Sequence, residues 1–497
     1  MQTVIRIATA VCVLALCAGA QPPADAPPAP PAPPPPSAEV VPAAPVPGAD
    51  PVSELRAVAG AQPGSGPGAD GTPLNDYWRN GLRFESADKA FSLFVGGRVQ
   101  FDVVSYLTTA TLRNNIPGTT RLDDGVSFRR VRLDMGGTIY KNIEFYTQVD
   151  FANGFVAVPN TTAQNSATVT NATYPTDLWV QFKDLPYVGN IRVGNQKPLY
   201  SFEHMTSSRF LNFLERSTGF DAFAEGQNNG FEPGITAFDT YADKRGTWGV
   251  GLFKTTRSPF GWNVGRNEAE VNARVTYLPV YEDGGRYLVH VGVGAAHRDL
   301  DQDQTRFRAR LDARDSPSAF SPLLADTGNF FGKQQQILVP EFVAVAGPWS
   351  MQAEYYASWV GDVQAVRANG TRMANQGTSY FQSAYVEVHC FLTGEHREYS
   401  RESAAFTRVV PRRPLAWTRS GFTGWGAWQL AARYSYLDLN SKNVRGGETH
   451  DMTLGVNWFL NPNMKVQWNY FLAGRNVANP AGDGLIHGFA VRTAIDF

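Results

Sequence analysis

Apolar and polar residues alternate along most of the chain, from Phe91 to the C-terminus. The alternation comes in segments of about ten residues, each followed by a break. A period of two places the apolar residues on one face of a β-strand and the polar residues on the other. The first segment sets Leu93, Val95, Gly97, Val99, Phe101 and Val103 against Gly96, Arg98, Gln100 and Asp102. The pattern therefore predicts an all-β chain.

The alternation predicts sixteen strands within a main domain of residues 77–497. The strands are predicted to start near residues 91, 126, 143, 176, 190, 229, 247, 269, 287, 336, 349, 379, 426, 449, 464 and 488. Short breaks at 282–285, 347–348 and 461–463 fit tight turns, whereas breaks at 106–124, 152–175, 298–335 and 361–378 fit long loops. An even number of strands returns the chain to the side on which it started, and roughly sixteen to eighteen strands leave an aqueous channel.

The N-terminus has the features of an export signal in residues 1–20. Arg6 supplies a positive charge, residues 7–17 are apolar, and residues 18–20 are small, as at a cleavage site before Gln21. Cys17 suggests a lipoprotein, but Leu16 is bulkier than the residue that normally precedes a lipid-modified cysteine. Simple cleavage is therefore favoured.

A second segment, residues 21–76, is rich in proline, alanine and glycine. The proline run at 27–36 predicts a semi-rigid polyproline II spacer, and the glycines at 64–71 predict a flexible end. Both a disordered periplasmic tail and a tether to the cell wall or a partner fit this composition.

Composition narrows the class of protein. Basic and acidic residues nearly balance, 44 against 45, so the chain lacks the positive charge of a nucleic-acid-binding protein. Beyond Cys17 no run of about 18 apolar residues occurs, which excludes a bundle of transmembrane helices. Only Cys390 lies outside the signal, which excludes a disulfide framework. An export signal, many alternating strands and the C-terminal Phe497 favour a transmembrane antiparallel β-barrel over a soluble sandwich.

Several segments resemble the phosphate-selective porin O and P family. In the first half these are residues 78–82, 96–98, 128–132 and 213–217, the last resembling the loop that folds into the pore. Towards the C-terminus, residues 392–395, 426–435, 438–439, 446–447 and 454–462 follow in the family's order. The resemblance covers residues 77–497. It implies a sixteen-stranded outer-membrane channel with an inward-folded constriction loop, an arginine-lined pore and a homotrimeric assembly.

The resemblance assigns Arg98, Arg129 and Arg130 to the central arginine cluster of the family's pore. Alternation separately directs Arg98, Arg130 and Arg132 into the lumen, but it directs Arg129 to the lipid face or the rim. A β-bulge at Arg129 and Arg130 would reconcile the two arguments. Arginine suits an anion pore because the guanidinium stays charged and offers two parallel donors to an oxyanion.

The other candidates are expected around this cluster. Lys197 would add positive charge near the constriction loop, and Asp150 would either oppose an arginine of the site or form a salt bridge. Glu215 and Arg216 are expected to brace the constriction loop internally rather than contact solute. In an alternative reading, Arg98 and Arg130 form structural pairs with Asp102 and Asp134. Alternation adds further lumenal candidates, namely Arg192, Arg274, Arg433 and Arg492.

These features predict an outer-membrane channel for passive diffusion of anions, with inorganic phosphate or other small anions as solutes. Phosphate selectivity is one hypothesis. Because the chain is neutral and has only nine lysines, a general or other small-solute porin is the alternative, with envelope tethering as an added role. The expected partners are outer-membrane lipid, the outer-membrane assembly machinery and further copies in a homotrimer.

We expect no cofactor, metal site, nucleic-acid partner or catalytic residue. A barrel enzyme such as an esterase or phospholipase needs a serine and histidine pair with an orienting acid or amide. The seven histidines are scattered along the chain, and no GxSxG motif occurs. Transport therefore fits the sequence better than catalysis.

Overall fold

The alternating segments form the wall of a closed barrel in a computed structural model of the chain. The structure describes residues 74–116, 122–152, 155–159, 167–171, 173–224, 230–255, 269–300, 303–314, 321–367 and 369–497, with the backbone alone for 155–159 and 167–171. The predicted export signal and the predicted linker as far as residue 73 lie outside these residues.

Sixteen strands make up the barrel wall, as the alternation predicts. In chain order they are β1 (Ser92–Leu107), β2 (Gly125–Ile139), β3 (Ile143–Asp150), β4 (Tyr174–Leu185), β5 (Gly189–Gln196), β6 (Glu232–Tyr241), β7 (Gly246–Lys254), β8 (Ala269–Glu282), β9 (Tyr287–Asp299), β10 (Gln334–Ala346), β11 (Trp349–Gly361), β12 (Ser379–Phe391), β13 (Ala427–Ser441), β14 (Val444–Asn461), β15 (Met464–Asn476) and β16 (Gly484–Asp496).

Each strand pairs antiparallel with its neighbour along the chain, and β16 pairs with β1 to close the barrel. The closing register places Asp496 opposite Arg98. Beyond it, Phe497 exchanges backbone hydrogen bonds with Gly97 at 2.8 and 3.0 Å. The C-terminal aromatic residue is thus part of the seam that closes the barrel.

Shorter elements accompany the barrel. A hairpin of Leu74–Trp78 and Leu82–Ser86 pairs with the start of β1, and it begins before residue 77, the expected start of the domain. In the described residues there are three short helices, namely α1 (Ala110–Arg113), α2 (Phe202–Met205) and α3 (Thr218–Phe223). The same residues include two 3₁₀ turns, Asp283–Gly285 and Pro480–Gly482. They also include five small strand pairs: Phe155–Pro159 with Ala167–Asn171, Gln304–Thr305 with Phe330–Phe331, Arg308–Arg310 with Leu323–Asp326, Tyr399–Ser400 with Ala405–Phe406, and Ala416–Thr418 with Gly421–Thr423. Among the described residues, no helix has the length and apolar character needed to cross a bilayer.

The two faces of the wall differ in polarity in the sense expected for a barrel in lipid. On β1 the side chain of Val103 is 44% exposed, whereas the adjacent Asp102 is 0% exposed. The same alternation of exposed apolar and buried polar residues recurs along the wall. A soluble sandwich has the opposite arrangement, because it buries its apolar face. The lumen is therefore the polar side of the wall.

A β-bulge interrupts the pairing of β1 with β2. Gln100 lies opposite Arg130, but the next residue of β1, Phe101, lies opposite Phe128, so Arg129 is an extra residue on β2. The insertion leaves Phe128 exposed and buries both Arg129 and Arg130. Two consecutive arginines thereby leave the lipid face, which strict alternation cannot achieve.

The connections divide into two groups, one at each end of the barrel. The end with the short turns, the turn end, carries 140–142, 186–188, 242–245, 283–286, 347–348 and 462–463. The other connections lie at the opposite loop end, and their described residues are 108–116, 122–124, 151–152, 155–159, 167–171, 173, 197–224, 230–231, 255, 300, 303–314, 321–333, 362–367, 369–378, 442–443 and 477–483. Residues 392–426 are the exception, because they join β12 to β13 at the turn end by a long connection that the sequence pattern did not predict.

The first half of this turn-end connection, residues 392–426, folds into the barrel, whereas residues 416–425 are exposed. The Phe406 ring packs edge-on against Phe202 of α2, with ring centroids 5.0 Å apart. Arg274 on β8 donates a hydrogen bond to the carbonyl of Ala404 at 2.9 Å. The hydroxyl of Tyr399 lies 2.8 Å from Nδ1 of His290 on β9. The connection therefore occupies part of the lumen at the turn end.

Candidate functional site

The described part of the constriction loop (residues 197–231), which is residues 197–224 and 230–231, lies inside the barrel as predicted. Side chains of the wall bind its backbone carbonyl groups: Lys465 donates to Leu211 at 2.8 Å, and Asn457 donates to Asn212 at 2.8 Å. Arg433 donates to the carbonyl of Glu215 at 2.9 Å. Because these donors come from β13, β14 and β15, the loop backbone is attached to one side of the wall.

The two helices of the constriction loop begin at buried polar groups. Ser201 caps α2 by accepting the N–H of His204 at 3.1 Å, and Glu354 on β11 accepts the N–H of Phe202 at 2.7 Å. Glu203 in α2 accepts the hydroxyl proton of Ser217, which precedes α3, at 2.8 Å. Burial raises the pKa of the Glu203 carboxyl to about 7.

The bulge on β2 directs two arginines to one carboxylate of the constriction loop. Arg129 donates from Nε and Nη2 to the two oxygens of Glu215, at 2.7 and 3.0 Å. Arg130 places Nη2 at 3.7 Å from the same carboxylate and donates from Nη1 to Gln100 at 2.8 Å. Its Nε has no hydrogen-bond acceptor among the described residues. The bidentate contact of Arg129 is the geometry that a guanidinium also forms with phosphate.

Two further arginines approach the same carboxylate. Arg492 of β16 lies 3.0 Å from it, and Arg314 of loop 300–333 lies 3.6 Å from it. We call Glu215 and the four arginines Arg129, Arg130, Arg314 and Arg492 the Glu215 cluster. No side chain in it is more than 4% exposed. Burial alone would raise the pKa of Glu215, but the four positive charges hold that pKa well below its usual range.

Arg132 and Arg98 lie beside this cluster and differ in their partners. Arg132 forms an ion pair with Asp150, with Nε and Oδ2 2.7 Å apart. Arg98 donates only to neutral groups, the hydroxyl of Ser208 at 2.6 Å and the amide oxygen of Gln148 at 2.8 Å. Arg98 is buried and has no carboxylate partner among the described residues.

The alternative pairing of Arg98 and Arg130 with Asp102 and Asp134 is not the one observed. Asp102 binds Arg492, with the closest atoms 2.6 Å apart. Asp134 binds Arg209 of the constriction loop at 2.8 Å. Both acids are thus occupied by arginines other than those paired with them from the sequence.

The loop residues Lys197 and Arg216 bind backbone carbonyls of the loop itself. Lys197 is half-buried and donates to the carbonyl of His204. Arg216 donates to the carbonyls of Glu203 at 2.9 Å and Thr206 at 2.8 Å. Arg216 therefore binds within the loop, whereas the carboxylate of Glu215 reaches the barrel wall.

The other lumenal candidates divide between the cluster and the rest of the wall. Arg492 belongs to the Glu215 cluster, and Arg433 binds the loop carbonyl of Glu215 and Asp312 at 2.9 Å each. Arg274 pairs with Glu341 at 2.7 Å. Arg192 stacks on the ring of Trp179 at 4.0 Å.

Several basic residues of the site were not predicted. Arg209 and Arg314 lie on loops, where alternation gives no information, although arginines at every second position from 306 to 310 mark the segment before Arg314. Arg397 lies on the turn-end connection, where it donates to the carbonyl of Phe210 at 2.8 Å. Lys465 faces the lumen from β15. The alternation along β15 indicates a lumenal position for Lys465 as well.

Some of these residues line a small pocket between the constriction loop and the turn-end connection. Four basic residues and one acid contribute charge to it: Arg209, Arg397, Arg408, Lys465 and Asp496. Asp496 pairs with Arg408 and lies 3.6 Å from Arg209. Arg397 and Lys465 are buried and have no carboxylate partner among the described residues. The pocket therefore has positive charge in excess.

A family profile and a related sequence place this chain in the same protein family. The profile of the family described as phosphate-selective porin O and P matches residues 95–497. Porin O of Pseudomonas aeruginosa is 27% identical over 452 residues, which cover 85% of this chain and 92% of that protein. A Caulobacter vibrioides protein without an assigned function is 27% identical over 425 residues, covering 83% and 74%.

Solved structures of outer-membrane proteins are also similar to this chain. The outer membrane channel DcaP of Acinetobacter baumannii has 12% identity and a TM-score of 0.44, covering 83% of this chain and 99% of its own. OmpT of Vibrio cholerae in its trimer form has 10% identity and a TM-score of 0.44, covering 82% and 100%.

Proposed function

Because the chain belongs to the phosphate-selective porin O and P family and forms an outer-membrane channel, we propose that small anions cross it by passive diffusion along the arginine-rich lumen. Tetrahedral oxyanions of the phosphate type are the preferred solutes. An anion that leaves water must exchange its hydration for charged or hydrogen-bonding groups that also release it. Guanidinium groups in a row provide such sites, since each stays charged and offers paired donors.

One observation carries this proposal: the lumen holds buried cations that have no carboxylate partner among the described residues. Arg98, Arg397 and Lys465 hydrogen-bond only to neutral oxygens, those of Ser208 and Gln148 for Arg98 and backbone carbonyls for the other two. A buried charge without a counterion is strongly unfavourable. Mobile anions from the solution supply that counterion when they occupy the lumen.

The charge around the Glu215 cluster supports the same proposal. Arg310 and Arg314 contact Asp221, and Arg492 contacts Asp102. Arg129 and Arg130 add two further guanidinium groups around Glu215. Guanidinium groups gathered in the lumen in this way favour entry of anions over cations.

The test is single-channel conductance of the purified protein in planar bilayers, in chloride with inorganic phosphate added. We expect phosphate to block the chloride current and Arg130→Ala to weaken the block at least tenfold. Arg445→Ala, at an exposed arginine of β14, is the control and keeps the block. A large conductance that phosphate does not alter favours the alternative, a general small-solute porin.

We further propose a homotrimer whose interface lies on strands β16 and β1 to β5. The outward tryptophans of the wall lie on β7, β11, β13, β14 and β15, namely Trp248, Trp349, Trp359, Trp428, Trp458 and Trp468. Strands β16 and β1 to β6 form the longest run of neighbouring strands without an outward tryptophan in the described residues. Since tryptophan collects where a barrel meets the lipid interface, the side without it fits a neighbouring protomer.

Native mass spectrometry in detergent tests the interface with a matched pair of variants. Leu133 on β2 and Leu252 on β7 are similarly exposed, at 49% and 55%. We expect Leu133→Gln to yield monomers and Leu252→Gln to remain trimeric. Equal oligomeric states for the two variants would contradict the proposed interface.

A further inference from the structure

The constriction loop places a carboxylate where the proposed function requires a permeating anion. Arg129 donates two hydrogen bonds to the carboxylate of Glu215, at 2.7 and 3.0 Å. Nη2 of Arg492 lies 3.0 Å from the same carboxylate. Carboxylate and phosphate oxygens accept the same paired guanidinium donors. The carboxylate of Glu215, which belongs to the protein itself, therefore occupies a site in the lumen that fits a solute oxyanion.

The backbone of the loop is held independently of this carboxylate. Residues of the wall and of the turn-end connection donate to carbonyls along residues 210–215. These donors are Arg397, Lys465, Asn457, Gln467, Arg433 and Arg492. Because they contact backbone oxygens, they would hold the loop with a neutral side chain at Glu215. Loop anchoring alone does not account for a charged group at this position.

Arg130 keeps unused capacity for a second acceptor. Its Nε is buried without a hydrogen-bond acceptor among the described residues. Its Nη2 lies 3.7 Å from Glu215, beyond a good hydrogen bond to it. A tetrahedral oxyanion presents more oxygen atoms than a carboxylate to a guanidinium group in this position.

We propose that Glu215 is a tethered competitor that sets the selectivity of the channel: a permeating oxyanion must displace its carboxylate from Arg129 and Arg492. The cluster is at most 4% exposed, so a solute reaches these guanidinium groups only when Glu215 moves aside. Weakly binding anions do not displace it, and anions with several oxygens and higher charge do. The competition also weakens the hold on a bound oxyanion, which speeds its release. This inference rests on the proposed function.

The experiment compares inorganic phosphate block of chloride current in wild type, Glu215→Gln and Glu215→Asp. Glutamine keeps the size of the side chain and removes its charge, so the half-blocking phosphate concentration should fall at least tenfold. Aspartate keeps the charge on a shorter side chain and should lie between the two. Glu270→Gln is the matched control, since it neutralises a buried lumenal acid that pairs with Arg298 outside the cluster. The control should stay within twofold of wild type.

The outcomes separate this inference from the proposed function. If phosphate blocks the wild type and Glu215→Gln leaves the half-blocking concentration unchanged, the competitor role is wrong while the anion channel stands. If phosphate blocks only Glu215→Gln, the competitor role stands and phosphate transport by the wild type is wrong. Failure of Glu215→Gln to assemble, with normal assembly of Glu270→Gln, makes the carboxylate a structural requirement and overturns the inference.

Discussion

Replacing Arg98 by glutamine should weaken anion binding while the barrel still assembles. Arg98 donates only to Ser208 at 2.6 Å and Gln148 at 2.8 Å, so its loss leaves no carboxylate without a counterion. Arg132 is different, because its loss would break the buried ion pair with Asp150, a change that typically destabilises by about 3–5 kcal/mol. Replacing Arg98 removes hydrogen bonds worth about 1.5–3 kcal/mol each. The change also removes a buried charge that has no counterion, and this gain offsets part of the loss.

The size of the effect follows from Coulomb's law. One unit charge about 4 Å from a monovalent anion contributes roughly 1 kcal/mol in bulk water and about 4 kcal/mol at an effective dielectric constant of 20. The lumen lies between these limits, so Arg98→Gln should weaken binding roughly 5-fold to 1,000-fold. Arg98→Lys keeps the charge without the paired donors and should lose less.

The assay is the phosphate concentration that halves the chloride current of single channels. Wild type, Arg98→Gln and Arg98→Lys are compared with Arg445→Gln, a change at an exposed arginine of β14. Resistance of the folded barrel to heat on a denaturing gel verifies assembly of each variant. An unchanged half-blocking concentration in a correctly assembled Arg98→Gln would refute the reasoning, since it would show that this charge does not act on the solute.

Three further predictions concern the loop, the turn end and the bulge. The pKa of Glu203 is raised from 4.5 to about 7, so the folded protein binds this proton more tightly than the unfolded chain. The stability that protonated Glu203 gives to the fold is therefore lost as pH rises from 4.5 to 7, by up to about 3 kcal/mol. Thermal unfolding across this pH range should show the loss in wild type but not in Glu203→Gln, and a stability of wild type that does not change with pH would contradict the prediction. Tyr399→Ala leaves a cavity beside Phe202, which should lower the free energy of unfolding by about 3–5 kcal/mol and loosen the turn-end connection. We expect larger and noisier single-channel currents. Unchanged currents would mean that the connection does not restrict the pore. Deleting Arg129 removes the extra residue of the bulge, so that Phe128 faces lipid and Arg130 faces the lumen in regular alternation. We expect the barrel to assemble and phosphate to block its current more weakly. Failure of the variant to assemble would show that the bulge is required for barrel closure.

The strands were predictable because one physical rule governs each of them. A wall between lipid and water needs apolar residues on one face and polar residues on the other, and the chain follows this rule from β1 to β16. The largest errors were at β14 and β16, which begin at Val444 and Gly484 rather than near 449 and 488. Arg445 and neighbouring glycines open β14, so its first residues lack the apolar face that marks a strand.

The site was predictable only in part. Arg98, Arg130 and Arg132 follow from alternation, and Arg129 needed the bulge, which no periodic pattern reveals. Arg314 comes from a loop, and a loop has no period from which its position in space can be read.

The turn-end connection had no precedent in the sequence pattern. The predicted tight turns lie at that end, yet part of residues 392–426 enters the barrel there and brings Arg397 against the constriction loop. Likewise the contact of Arg129 with Glu215 joins two residues that are far apart in the chain. Long-range contacts of this kind require coordinates.

The zero-current potential of the wild-type channel across a tenfold gradient of potassium chloride tests the central claim most directly. A lumen with buried cations that lack carboxylate partners, such as Arg98, Arg397 and Lys465, should let chloride pass in preference to potassium. The account predicts a potential whose sign is set by chloride and that shifts further when Glu215 is replaced by glutamine. A potential near zero, or one whose sign is set by potassium, would contradict it.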